Sequence, residues 1–221
     1  MDRLYGGFVR RGDLVFDVGA HVGDRVASFR RLGARVVAVE PQPAMVKVLK
    51  LFYGRRADVA IEAVAVGCGV GSTSMMINAD NPTVSTASPA FVTAARDAPG
   101  WQTQRWTKSV PVPVTTLDAL IGKHGAPVFI KIDVEGFEEE ALQGLSRAVK
   151  ALSFEFTIIQ RDVALACIER CMALGYMRFN AALGESQTFV RDDWVGGAEI
   201  ARWLTGLPHA ANSGDIYAAL A

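Results

Sequence analysis

Cysteine is scarce, with Cys68, Cys167 and Cys171 the only three in 221 residues. The count is odd and no Cys-x-x-Cys or Cys/His cluster accompanies them, which argues against a disulfide framework and a thiolate metal site and indicates a reducing compartment. Cys167 and Cys171 stand one helical turn apart in apolar sequence, the pattern of packing residues. Net charge is also lacking: 23 Lys and Arg balance 23 Asp and Glu, and no block of about five like charges occurs. Holding nucleic acid by its phosphates needs a basic surface, so no nucleic-acid partner is expected, and small neutral or zwitterionic ligands fit better. No run of about eighteen apolar residues is present to cross a bilayer, and the opening MDRLYGGFVRRGD lacks the apolar stretch of a signal peptide. The expectation is a cytoplasmic protein with no membrane partner; self-association is left open.

What the chain has is apolar content, 50% of its residues, enough for one core and one domain spanning 1–221. Strands and helices alternate. Leu14–Ala20 reads as a strand buried on both faces, Asp24–Leu32 as a helix stopped near Gly33, Arg35–Glu40 as a strand, and Ala44–Tyr53 as a helix opened by Pro41 and Pro43. Ala60–Gly67 is the next strand candidate, followed by Thr73–Ile77. Residues 78–109, rich in Asn, Pro, Ser and Thr with Trp101 and Trp106 among them, show no period and read as an active-site cover. VPVPVTTLDALI then reads as a strand entering a helix that Asp118 helps to start, and PVFIKIDVEGFE as the strongest strand of the second half, with a helix over Glu138–Leu145. ALSFEFTII, a helix over Val163–Leu174 and the short candidates YMRFN, QTFV and DIYAAL complete the pattern. This order implies an α/β fold with a mostly parallel sheet covered on both faces and right-handed crossovers.

In such a sheet the ligand crevice lies beyond the carboxyl ends of the strands. The turn DVGAHVG offers Asp17, Gly19, Ala20, His21 and Gly23 there, and Gly19 lets backbone approach a ligand without a Cβ between them. Glu40 ends the next strand, placed to accept hydrogen bonds from both hydroxyls of an adenosyl ribose. A dinucleotide site would need G-x-G-x-x-G, but His21 stands where the second glycine belongs. Asp17 would also repel a pyrophosphate, whereas a carboxylate suits the amino group of S-adenosylmethionine. The second acidic cluster, KIDVEGFE, puts Asp133 and Glu135 at the mouth of a strand beside the first, with Lys131 available to neutralise them.

The motifs GDLVFDVGAHVG, AVEPQP, TTLDAL and, most specifically, IKIDVEGFEEEAL resemble the FkbM family of S-adenosylmethionine-dependent methyltransferases, over Gly12 to about Leu145. The resemblance implies a Rossmann-like class I methyltransferase fold. This is a three-layer αβα sandwich with a seven-stranded, mostly parallel sheet whose last strand, at Asp215–Leu220, runs antiparallel. It implies S-adenosyl-L-methionine as cofactor and O-methylation of a sugar or small natural product. Carried over by position, Asp17, Gly19 and Gly23 line the methionine end, Glu40 holds the ribose, and Glu62–Val66, with Ala65, the adenine; Ala20, His21 and Pro41 are further cofactor-binding positions. Asp133 and Glu135 face the acceptor, Asp133 also touching the cofactor. Family members commonly have asparagine where this chain has His21, a ring able to contact substrate.

Methyl transfer is an in-line displacement, and an aliphatic hydroxyl needs help losing its proton. Asp133 is the first candidate base; Glu135, Glu155, His209 and His124 are weaker ones, and no dedicated metal-ligand set is visible. Two rivals share some of these features. One is a methyltransferase-like protein that binds the cofactor silently, and the other a nicotinamide-dependent oxidoreductase.

Overall fold

A computed structural model describes residues 1–221. The chain runs α1 (Asp2–Tyr5), β1 (Leu14–Val18), α2 (Asp24–Arg31), β2 (Arg35–Val39), α3 (Pro43–Tyr53), β3 (Val59–Glu62), β4 (Ala65–Val66), β5 (Gly71–Ile77), α4 (Pro89–Arg96) and β6 (Lys108–Thr115). It continues α5 (Leu117–His124), β7 (Phe129–Ile132), α6 (Glu138–Gln143), β8 (Ala151–Thr157), α7 (Arg161–Ala173), β9 (Arg178–Leu183), α8 (Gly197–Thr205) and β10 (Ser213–Ala219). Seven strands form one sheet in the order β3-β2-β1-β7-β8-β10-β9. Only β10 is antiparallel to its neighbours, β8 and β9. This is the class I methyltransferase arrangement expected from the sequence.

Strand alternation splits the core between the two faces. Phe16, Val18, Ile130, Ile132, Leu152 and Phe154 pack on the side of α5 to α8, while Val15, Val36, Phe129 and Tyr217 pack with Tyr5 of α1 and Phe29 of α2. With both faces covered, β1 and β7 are buried at every position, which explains their largely apolar sequence. Asp17 and Lys131 are the polar exceptions; the register puts them side by side.

Several expectations need correction. The single strand over 60–67 is two: β3 pairs with β2 at the edge of the main sheet, whereas β4 joins β6 and β5 in a separate three-stranded sheet. Alternating Val and Ala suit either sheet, so the local pattern holds no record of the change of partner. Asp118 stands in the first turn of α5 as expected, while the cap itself is Thr116, its hydroxyl accepting from the Ala119 amide at 3.0 Å; both Asp118 oxygens accept from the Ser146 amide. QTFV forms no strand, though Phe189 within it packs edge-on against Trp194 and Tyr217. Helix α8 went unread because it opens on Gly196 and Gly197, poor helix signals; there a Cβ on Gly197 would overlap the Met172 sulfur.

Residues 78–106 include a 3₁₀ turn, Pro82–Val84, and α4, whose Ser88 hydroxyl caps the Phe91 amide at 3.1 Å. The helix is two turns long with only Phe91 and Ala95 buried, too little for a visible period. The segment is tied down: Thr86 and Met76 exchange backbone hydrogen bonds, the Trp106 indole donates to the Val84 carbonyl at 2.8 Å, and the Asn78 amide donates to Gln104 at 2.8 Å. No helix is long and apolar enough to cross a membrane.

Candidate active site

A cavity of about 530 Å³ opens at the carboxyl ends of β2, β1, β7 and β8. Of the residues singled out in the sequence, Asp17, Gly19, Ala20, His21, Glu40, Pro41, Ala65, Asp133, Glu135 and Glu155 lie on its wall. Three do not. Gly23 sits behind it as the N-cap of α2 at φ 93°, its carbonyl accepting from the Tyr53 hydroxyl at 3.0 Å. His124 pairs with Glu62 at 2.7 Å, so both are committed to joining α5 to β3, and His209 lies in a 3₁₀ turn away from the wall.

The turn after β1 is built around backbone conformation. Gly19 has φ 85°, and a Cβ there would overlap the Asp133 carbonyl oxygen, so this glycine lets the β1 and β7 turns touch. His21 is also left-handed, at φ 47°. Asparagine, aspartate and histidine adopt that region more readily than most residues. The His21 amide donates to Glu40 Oε2 at 2.8 Å and the Gln42 amide to Oε1 at 2.7 Å, fixing the carboxylate at the β2 tip. Burial pushes Glu40 up to about 7 despite those two bonds. Asp17 is 2% exposed and its Oδ2 has no partner. Burial raises it to about 7, with Lys131 pulling the other way.

At the other end, Lys131 is 1% exposed and donates to Asp133 Oδ2 at 3.1 Å and Asp215 Oδ1 at 2.8 Å. Burial would raise Asp133, but the neighbouring Lys131 ammonium, a hydrogen bond with Glu155 and the Arg25 charge together outweigh it and hold the carboxyl below its usual range. Glu135 and Glu155 are pushed well above theirs, first by burial and then by the Asp133 charge. Carboxylate oxygens of Asp133, Glu135 and Glu155 all lie within 4.8 Å of one another. Three carboxylates this close titrate as a unit, and oxygen donors so spaced can take a hard divalent cation.

Glu135 itself is left-handed, at φ 55°, followed by Gly136 at φ 83°. That strained turn is held by Glu138, whose carboxylate accepts from the Val134 amide at 2.9 Å and the Gly136 amide at 3.0 Å, and by the Thr86 hydroxyl, which donates to the Glu135 carbonyl at 2.6 Å.

Sequence reasoning missed part of the wall. Thr83, Ser85 and Ala87 come from the 78–106 segment, which covers the cavity, and the Gln42 side chain ties that segment to β2 by donating to the Pro82 carbonyl at 3.1 Å. Met75, Phe137, Arg25 and Glu185 complete it. For Arg25 and Glu185, far apart in the chain, no local signal marks the pairing.

The model of one family, the methyltransferase FkbM domain, matches residues 17–204. No curated protein matches the chain. Solved structures with similar folds include a precorrin-6y C5,15-methyltransferase from Geobacter metallireducens, 14% identical, covering 98% of this chain and 86% of the other at TM-score 0.49. A TehB-like SAM-dependent methyltransferase from Corynebacterium glutamicum is 13% identical over 100% and 86%, at TM-score 0.49. A putative rRNA methylase from Clostridium thermocellum is 8% identical over 100% and 93%, at TM-score 0.48. The family model spans both carboxylate-bearing turns and most of the chain, and the protein belongs to the FkbM methyltransferase family.

Proposed function

We propose that this methyltransferase uses S-adenosylmethionine to methylate a hydroxyl oxygen of a sugar or other small molecule. The observation that carries the reading is the row of carboxylates in one cavity, from the buried Glu40 through the buried, unpartnered Asp17 to the half-buried Asp133, Glu135 and Glu155 group. When bound, the cofactor supplies an electrophilic methyl group on a positively charged sulfur. An acidic, desolvated wall suits a ligand carrying a sulfonium and an ammonium, and it opposes the diphosphate of a nicotinamide cofactor. It opposes the phosphates of a nucleic acid equally, so the acceptor is a small molecule.

Within this reading Glu40 accepts the ribose hydroxyls, Ala65 and Pro41 pack nearby, and Asp17 Oδ2 accepts from the amino group. Gly19, Ala20 and His21 form the floor. Asp133, kept ionised by Lys131, accepts the proton of the attacking hydroxyl, and Glu135 and Glu155 share that proton at short range. The 78–106 segment excludes water and shapes the acceptor side.

Calorimetric titration with S-adenosylhomocysteine tests the cofactor assignment, with a dissociation constant on the order of micromolar expected and loss of binding in Glu40→Ala. Methyl transfer from labelled S-adenosylmethionine to a panel of hydroxyl compounds then tests the chemistry. Asp133→Asn should retain cofactor and lose about a hundredfold or more in rate. Binding of NADH alone would overturn the cofactor; transfer unaffected by Asp133→Asn would overturn the base.

A further inference from the structure

Arg25 lies in the first turn of α2, directly after the glycine turn, and is the one cationic side chain on the cavity wall apart from the ring of His21, which burial holds towards neutrality. Every other charged wall residue is a carboxylate: Asp24 and Glu185 lie close to Arg25 in the wall, and the rest have been described above. Arg25 Nη2 faces both Glu185 oxygens, at 2.7 and 2.8 Å, so only one edge nitrogen is used. Its Nε is buried and donates to nothing. The two partners differ in exposure, 19% for the Arg25 side chain and 72% for that of Glu185. Glu185 follows the left-handed Gly184, at φ 47°, in the turn after β9. A pair of this kind has one fixed member and one that water can readily take back, and its net strength is small.

We infer that Arg25 receives the carboxylate of the cofactor's amino-acid tail, exchanging Glu185 for it, so that the pair acts as a latch at the tail end of the cavity. This rests on the cofactor reading above and names a residue it does not supply. With the ribose at Glu40 on β2 and the reacting centre near Asp133 on β7, the tail falls at Asp17 and the start of α2. The ammonium there meets Asp17; the carboxylate meets apolar and acidic side chains, and among the wall's charged side chains only Arg25 attracts it. A guanidinium offers a planar two-nitrogen edge that matches a carboxylate, and the idle buried Nε becomes one of its donors. The latch also favours ligands with an α-carboxylate over nucleosides lacking one.

Calorimetry with S-adenosylmethionine and its decarboxylated form, which differ only in that carboxylate, reads the contact directly. The wild type should prefer the carboxylate form, Arg25→Met should weaken it roughly ten- to hundredfold while leaving the decarboxylated form unchanged, and the preference should vanish. Glu185→Gln should tighten the carboxylate form severalfold, because the competitor is gone, and this arm decides the matter if Arg25→Met fails to fold. Equal losses for both ligands in Arg25→Met, or weaker binding in Glu185→Gln, would overturn the latch while leaving the cofactor reading intact. Binding of neither ligand by the wild type would overturn both.

Discussion

The turns after β1 and after β7 solve one problem in two ways. Each has a non-glycine residue in the left-handed region, His21 or Glu135, and each is pinned by a buried glutamate whose two oxygens accept from two backbone amides. Glu138 comes from its own turn and lies off the cavity wall, so its carboxylate only shapes the loop. Glu40 comes from the neighbouring strand, nineteen positions from His21, and faces the cavity. The same chemistry serves purely as scaffold in one turn, and in the other as scaffold on a carboxylate that also faces the cavity. What separates them is the element that supplies the carboxylate.

The severest way to break the comparison is to remove the contact the two turns share. Gly19→Ala places a Cβ into the Asp133 backbone at a positive φ, and chemical denaturation should show a loss of more than about 4 kcal/mol, or no folded protein. A loss under about 1 kcal/mol would mean that the turns are independent.

Exchanging the two glutamates for amides sharpens it further. Glu138→Gln should cost about 2 kcal/mol, since an NH₂ group must face a backbone N–H, yet keep cofactor affinity within about threefold; Glu40→Gln should also lose about tenfold or more in affinity. The two also share a pH signature. Burial lifts both folded-state pKa values from 4.5 to about 7. The folded protein therefore holds extra protons between those values, and stability falls as pH rises from about 4.5 to about 7. Hydroxyl donors favour ionised Glu40, so cofactor affinity should rise with pH through about 7, and more steeply in the wild type than in Glu40→Gln. Equal slopes in calorimetric titrations across pH 6 to 8 would remove Glu40 from the binding site.

The smallest effect belongs to His21, which contributes its amide to Glu40. His21→Asn should stay within about 0.5 kcal/mol and keep cofactor affinity, while His21→Val should cost about 1–2 kcal/mol through its β-branched side chain at φ 47°. A large loss of transfer in His21→Asn, with binding intact, would instead assign the ring to the acceptor.

Much of the main sheet was legible because its strands are short apolar runs closed by glycine or acid, and because a residue at the end of a buried parallel strand has few places to be other than the crevice. Asp17, Glu40 and Asp133 were found that way. Pairing that depends on distant sequence was not legible. The split of 60–67 between two sheets, the recruitment of Glu155 to Asp133 and Glu135, and the closing of Arg25 on Glu185 each join segments whose local pattern is indifferent to the partner. Helix α4, inside the segment read as a cover, escaped for a related reason, since a two-turn helix held by a cap and by tertiary hydrogen bonds carries little periodic signal.

The sequence by itself determined the parallel αβ architecture, the acidic strand tips and the family motifs, because these follow from local periodicity and from residues adjacent in the chain. The tertiary structure alone decided which carboxylates come together, which glutamate faces the cavity and which only braces, and where the single guanidinium of the wall stands. Those properties are set by burial and by distances between elements, and a side chain's desolvation and its neighbours' charges exist only once the chain has folded.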